Sequence, residues 1–253
     1  MAVKLFASDF DGTMYFRMQT PPISPEILTA VEELRRQGGV FGFCTGRPTG
    51  AIRGFCEGIP EYDFLIGSSG ARIVDRNDEL IYERHMDKET AKAIYDAGTS
   101  SGYRCAIHVE GRFTMFGADP GDMPFASWLS GWEEIGNEPI HDVSVLTPSE
   151  EAAESFTKEI NQVYGADITA FQNVNSIDIV PKGCSKGEGL KLIAEIFGAE
   201  HTYGIGDSLN DIPLLDAADD SFTFHTSPAG VQKHAGIVVD TLEEAVRIAA
   251  RRE

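Results

Sequence analysis

The sequence predicts an α/β protein, with a parallel-sheet core split in two by an inserted α+β module. Three observations predict it. Short apolar runs at 3–8, 40–44, 63–67 and 201–206 each stop at a polar or glycine-bearing turn. A helix-period stretch separates the first two runs, the order a βαβ unit with parallel strands requires. Between residues 83 and 181 the texture changes to paired strand-like stretches with two helical ones, the pattern of an α+β module.

Residues 3–8 form a short apolar run, a pattern that suits a strand buried on both faces, and the run ends in Asp9. Ser24 offers an N-cap, Pro25 a first helical position and Glu26 a first-turn acid. Ile27, Leu28, Val31 and Leu34 continue at helical spacing until Gly38-Gly39. The run 40–44 ends in Thr45-Gly46-Arg47-Pro48, with Cys44 reading as a buried strand residue. Residues 63–67 end in Ser68-Ser69-Gly70-Ala71, and 72–82 read as a hairpin around Arg76-Asn77-Asp78.

Within the module, Asp87 is expected to cap a helix to about Ala97. Residues 103–109 and 112–116 read as antiparallel strands joined at Glu110-Gly111. Thr147-Pro148-Ser149-Glu150 reads as a capping box, with Thr147 at the cap and a helix to about Val163. A second strand pair follows at 167–171 and 176–180, while 117–138 yields no assignment. The α/β pattern resumes with a helix at 186–197, a strand at 201–206 ending at Asp207, and a helix at 210–217. A strand at 237–239 and a helix capped by Thr241 complete it. The expected division is a core of 1–82 and 182–253 around a module of 83–181.

Composition narrows the class. No run approaches the roughly 18 apolar residues of a membrane span. The N-terminus meets acidic residues too early for a secretory signal, so a cytoplasmic protein is expected. The net charge of −19 opposes nucleic acid and anionic membranes at long range. It does not oppose a small anionic substrate, because salt screens the distant field within about 8–10 Å. Cys44, Cys56, Cys105 and Cys184 form no C-x-x-C pair and read as reduced thiols.

The strongest local signal is Asp9-Phe10-Asp11-Gly12-Thr13. Ligands of open α/β sheets bind outside the carboxyl ends of the strands, where Asp9 falls. Asp11, two residues on, can share its pocket, and Gly12 allows the tight turn between. Three more polar clusters fall at strand ends or helix starts: Thr45-Gly46-Arg47, Ser185-Lys186-Gly187 and Gly206-Asp207-Ser208-Leu209-Asn210-Asp211. Any one alone reads equally well as turn chemistry. Four in one sheet converge on one crevice.

Asp9-Phe10-Asp11-Gly12-Thr13, Thr45-Gly46-Arg47, Lys186 and Gly206-Asp207-Ser208-Leu209-Asn210-Asp211 resemble the four motifs of the haloacid dehalogenase superfamily of phosphatases. Their order and the large insertion before the lysine resemble its Cof-like branch. That resemblance implies a Rossmann-like core with an inserted cap of the C2B type. It further implies Asp9 as the nucleophile forming an aspartyl-phosphate and Asp11 as general acid, then base. Thr45 is implied to bind a phosphoryl oxygen with Gly12 and Gly46 nearby, and Lys186 to hold Asp9 and the phosphoryl charge. Asn210 is implied to contact phosphate or cap its loop. Mg2+ is implied on Asp9 and Asp207, on the Asp11 main-chain carbonyl, and with Asp211 in support. A small soluble phosphomonoester, a sugar phosphate or similar metabolite, is the implied substrate.

Charge explains the cation. Two unit like charges ~4 Å apart repel by about 4 kcal/mol at an effective dielectric near 20. A carboxylate meeting a phosphate dianion faces roughly twice that, about six decades in rate. A divalent ion and a lysine reverse the sign. To act as an acid, Asp11 must hold a proton near neutrality, which neighbouring carboxylates are expected to favour.

Two positions depart from the family pattern. Ser69-Gly70-Ala71 stands where Asn-Gly-Ala is frequent, and Ser227-Pro228-Ala229 lacks an Asn-Ala; both bear on substrate contacts. Arg47 either reaches the substrate or locks its loop. Trp128 and Trp132 either pack the cap or stack on substrate. Rival readings are a sugar phosphomutase sharing the aspartyl-phosphate and a non-catalytic phosphometabolite-binding protein. Gly204-Ile205-Gly206 lacks the third glycine of a dinucleotide fingerprint.

Overall fold

In β1 (Lys4–Ser8) successive side chains face opposite sides of a sheet, and both sides are buried. Leu5 and Ala7 join one apolar cluster with Leu190, Ile193 and Leu214, while Phe6 joins another with Val31, Leu34 and Val246. This is why the run does not alternate in polarity. The computed structural model describes residues 3–55, 58–118 and 126–252.

From β1 the chain continues through α1 (Pro25–Arg36), β2 (Val40–Cys44), α2 (Thr49–Phe55), β3 (Phe64–Gly67), β4 (Arg72–Asp75) and β5 (Leu80–Glu83). The inserted module comprises α3 (Lys88–Ser100), β6 (Arg104–Val109), β7 (Arg112–Phe116), β8 (Ala126–Leu129), β9 (Ile140–Leu146), α4 (Glu150–Tyr164), β10 (Ile168–Asn173) and β11 (Ser176–Pro181). The chain then returns through α5 (Lys186–Phe197), β12 (His201–Ile205), α6 (Ile212–Ala217), β13 (Asp220–Phe224), α7 (Ala229–Gln232), β14 (Ile237–Val239) and α8 (Leu242–Arg251).

The core sheet has the order β14-β13-β12-β1-β2-β3-β4-β5, parallel from β14 to β3 and closed by the antiparallel β4 and β5. β1 lies between β12 and β2, where strand order reverses, and a crevice opens beyond its carboxyl end at such a point. Phe6 stacks on Phe41, Tyr203 and Phe222 at centroid distances of 6.1, 6.1 and 6.2 Å. Each such buried ring contributes about 1.5–3 kcal/mol, holding β1 in register with its neighbours.

The second sheet, of order β10-β11-β9-β6-β7-β8, carries α3 and α4 on one face. Its other face looks toward the carboxyl ends of the core strands. The fold class read from sequence is therefore the fold observed.

Several local expectations need correction. Thr147 is not the cap of α4: Ser149 accepts from the Ala152 N–H, and the Thr147 hydroxyl donates to the Ser149 and Asn175 carbonyls. The helix expected over 210–217 is a 3-10 turn at Leu209–Asp211 followed by α6, with Ser208 and Asp211 forming the capping box. Asn210 thus caps nothing. α3 runs on to Ser100. α2, α7, β9 and β13 carry no expectation from the sequence; β9 and β13 interleave polar residues with apolar ones. Trp132 packs on Tyr95 and Phe116 in the module core. Within 117–138 the described part holds β8 and a 3-10 turn at Trp132–Ile135, and 119–125 lie outside the described residues, as does Cys56. Cys44, Cys105 and Cys184 are free and buried.

Candidate active site

Four chain segments meet at the carboxyl end of β1. Asp9 follows β1 directly, and its N–H donates to the Ile205 carbonyl, so the peptide continues the sheet ladder for one more residue. Gly12 turns the chain at φ +83°, where a Cβ would sit 3.0 Å from Asp207 Oδ2. Thr45 follows β2, its N–H donating to the Ile66 carbonyl. Lys186 is the first residue of α5, fixed there by Ser185, whose hydroxyl accepts from the Glu188 N–H.

Lys186 is the electrostatic centre. Its Nζ donates to Asp9 Oδ1 at 2.7 Å and to Asp211 Oδ1 at 2.5 Å, with all three side chains buried. Burial opposes its charge, but Asp211 and Asp9 outweigh burial and hold the ammonium well above an ordinary lysine. Burial, reinforced by Asp211, raises the Asp9 carboxyl well above its usual value, and Lys186 acts against that rise. Burial and Asp211 also raise Asp207.

Asp211 is fully buried and orients the others. Its Oδ2 accepts from the backbone N–H of Asp207 and of Ser208, both at 3.0 Å. Asp207 in turn accepts from the Thr13 and Ser208 hydroxyls at 3.0 Å. Among the described residues, Asp9, Asp207 and Asp211 offer carboxylate oxygens within 4.8 Å of one another. Oxygen donors alone, three carboxylates against one ammonium, suit a hard divalent cation.

Asp11 lines the same cavity as Asp9. Its carboxylate takes a two-pronged grip from Arg47, Nε to Oδ2 and Nη2 to Oδ1, both at 2.6 Å. A guanidinium faces it where carboxylates were expected to crowd it. Arg47 therefore locks onto Asp11 in this state.

Asn210 reaches the inserted module: its Nδ2 donates to Asp178 Oδ2 at 3.3 Å, and its own Oδ1 is buried with no hydrogen-bond partner among the described residues. Asp178, on β11, also accepts from the Ser69 hydroxyl at 2.8 Å. Gly46 must lack a side chain here, since a Cβ would fall 2.3 Å from Asp178 Oδ2. Sequence reasoning missed Asp178. Its one signal is a lone carboxylate in the apolar stretch Ile177-Asp178-Ile179-Val180. Ser69, the first departure from the family pattern, thus sits on the seam between the sheets. Ser227 instead closes the turn after β13, accepting from Thr223 Oγ1 and the Phe224 N–H.

A cavity of about 630 Å3 opens above these groups, lined by Asp9, Asp11, Thr45, Arg47 and Asn210 below and by β6, β7, β9 and β11 residues above. No helix among the described residues is long and apolar enough to cross a membrane.

The family model of haloacid dehalogenase-like hydrolases matches residues 6–247. An HMP-PP phosphatase from Cronobacter sakazakii is 23% identical over 224 residues, covering 85% of this chain and 81% of the relative. A solved haloacid dehalogenase-like hydrolase from B. subtilis superposes with a TM-score of 0.84 at 19% identity, covering 98% of this chain and 99% of that one. The HAD subclass IIB sugar phosphatase BT4131 superposes with a TM-score of 0.77 at 21% identity, with 95% of each chain covered. Matched by the family model from the first strand to the last helix, the chain belongs to the haloacid dehalogenase-like hydrolases.

Proposed function

We propose that this hydrolase is a magnesium-dependent phosphatase that releases inorganic phosphate from a small phosphorylated metabolite through an aspartyl-phosphate at Asp9. One observation carries the reading: a buried lysine 2.7 Å from Asp9 Oδ1, beside two further carboxylates within 4.8 Å. Lys186 fixes Asp9 and blocks its rotation, leaving Oδ2 for attack on phosphorus. In the first step the Asp9 O–P bond forms and the ester O–P bond breaks, with Asp11 giving its proton to the leaving alkoxide. In the second, Asp11 takes a proton from water, whose oxygen displaces Asp9 from phosphorus. Asp11 must leave Arg47 for these transfers, and an arriving phosphoryl group competes for that guanidinium.

The donor set fits Mg2+. Asp9 and Asp207 would hold it, with Asp211 orienting the Asp207 loop through two N–H bonds. The bound ion supplies charge neutralisation that one ammonium cannot give three carboxylates and a phosphate. Thr45 and Asn210 border the phosphoryl position, and Gly12 and Gly46 let backbone approach it. The core of 1–82 and 182–253 supplies this chemistry, and the cap of 83–181 supplies the roof. The phosphatase names of the relatives support the reaction class, and a cytoplasmic location is part of the same reading.

The test is phosphate release from a panel of phosphorylated metabolites with and without Mg2+, beside Asp9→Asn. Metal-dependent release that Asp9→Asn abolishes is expected. Transfer of the group to a second sugar hydroxyl without free phosphate would establish the mutase instead, and binding without turnover the non-catalytic alternative.

A further inference from the structure

We propose, on the phosphatase reading above, that the alcohol part of the substrate carries a second anionic group, a carboxylate or a further phosphate, gripped at the cavity mouth by Arg17 of the core and Arg104 of the inserted module. Acidic residues outnumber basic ones by 40 to 21 along the chain. The cavity departs from that balance: its lining sets Arg17, Arg47 and Arg104 against Asp9, Asp11 and Asp178.

Each of those aspartates is engaged by the protein itself. Asp9 accepts from Lys186, Asp11 from Arg47, and Asp178 from Ser69 and Asn210. Asp178 is also the deeper group. It lies beside Ser144 and Ala106 across β11, β9 and β6, while Arg104, Leu146, Ser176 and Asn173 pair across the next row on the same face. Asp178 is buried and Arg104 is exposed, so that next row marks the mouth. Asn173 adds carboxamide N–H donors to it. Arg17 reaches the same cavity from the segment between β1 and α1, which also carries Asp11. It is exposed, and it makes no hydrogen bond or ion pair among the described residues. Both lips of the mouth therefore present guanidinium groups to a ligand.

A guanidinium fork binds two oxygens of a carboxylate or phosphate at once, and charge makes those bonds strong. A neutral hydroxyl offers one oxygen and no charge. Positive groups at the rim of a cleft also draw anions toward it against the negative field of the whole chain. With Lys186 and a cation serving the phosphoryl end, the arginines at the mouth suit a metabolite charged at its other end. A volume of about 630 Å3 admits one.

The experiment compares kcat/KM with Mg2+ present within two matched pairs. 3-Phosphoglycerate and glycerol 3-phosphate differ by a carboxylate in place of a hydroxymethyl group. 3-Phosphonopropyl phosphate and 4-hydroxybutyl phosphate differ by a phosphonate, which cannot be released, in place of a hydroxymethyl group. All four leave as primary alcohols, and acetyl phosphate is the positive control. In at least one pair the doubly anionic member is expected to exceed its partner by about tenfold or more, the weight of one charge-assisted contact. The pair that responds tells carboxylate from phosphate. Combining Arg17→Gln with Arg104→Gln, at exposed positions that folding tolerates, is expected to narrow that ratio. The inference is overturned if acetyl phosphate is hydrolysed while neither doubly anionic substrate exceeds its partner, or if the double variant leaves the ratio unmoved. Failure to release phosphate from any of them, acetyl phosphate included, overturns the phosphatase reading instead.

Discussion

Arg47 holds both oxygens of Asp11 through bonds of 2.6 Å, so the group assigned to protonate the leaving alkoxide is paired with a cation until substrate arrives. On the proposed mechanism the pair acts as a gate, since a dianionic phosphoryl group offers Arg47 a stronger partner than one carboxylate.

Replacing Arg47 should therefore act mainly on binding. Arg47→Ala is expected to raise KM by about tenfold, the loss of one charge-assisted contact, with a smaller change in kcat. Arg47→Lys should rescue only part of it, since a point charge cannot reproduce the fork. Steady-state kinetics decide; a kcat collapse at unchanged KM contradicts the gate.

Asp11→Asn should lower kcat by about 10²–10⁴ for an alkyl phosphate, the usual weight of general acid catalysis. For p-nitrophenyl phosphate, whose leaving group needs little protonation, the loss should be much smaller. Equal losses on both substrates would remove Asp11 from the acid role.

Lys186→Met leaves Asp9 and Asp211 buried without their shared cation. Breaking a buried ion cluster from one side costs about 3–5 kcal/mol, so urea denaturation should show a clearly reduced midpoint along with lost turnover. Mg2+ added to chelator-treated wild-type protein should raise its Tm, by about 2.7 kcal/mol of stabilisation at a hundredfold excess over Kd. Asp207→Asn should abolish that rise. A Tm indifferent to Mg2+ speaks against the carboxylate group as its site.

Gly46→Ala drives a methyl to within 2.3 Å of Asp178 Oδ2, and overpacking of this kind costs about 1–3 kcal/mol. Asp178→Ala removes the obstructing atom. The double variant should recover much of the Gly46→Ala loss, a coupling that a thermodynamic cycle measures; strict additivity would place the two residues apart.

His108 supplies a pH signature. Burial, with His141 adding to it, pushes its imidazole down to about 3. It bridges Ser68 of the core and Ser144 of the inserted module, so its neutral form joins the two sheets. Because the unfolded chain binds this proton near pH 6.5, its contribution is complete above that pH and is lost as pH falls toward 3. Asp142, raised by burial and by Asp178, gives the opposite slope from the neighbouring strand β9. The difference between wild type and His108→Gln isolates the histidine. Wild type should lose stability relative to the variant below pH 6.5, by up to about 1.4 kcal/mol per pH unit. A difference flat in pH refutes the assignment.

The sequence by itself determined the strands that end at Asp9, Thr45 and Asp207, the helix that begins at Lys186, and the presence of an inserted α+β module. Those features are local: apolar runs, caps and turn residues reflect the conformation of the segment that carries them. Only the tertiary structure decided that Asp11 faces Arg47, that Asp178 crosses from the second sheet to Asn210, and that residues of the second sheet roof the cavity over Asp9. Those facts rest on contacts between residues 36 and 32 positions apart and on which face of each strand turns inward, and a one-residue change of register would reverse every side chain of a strand.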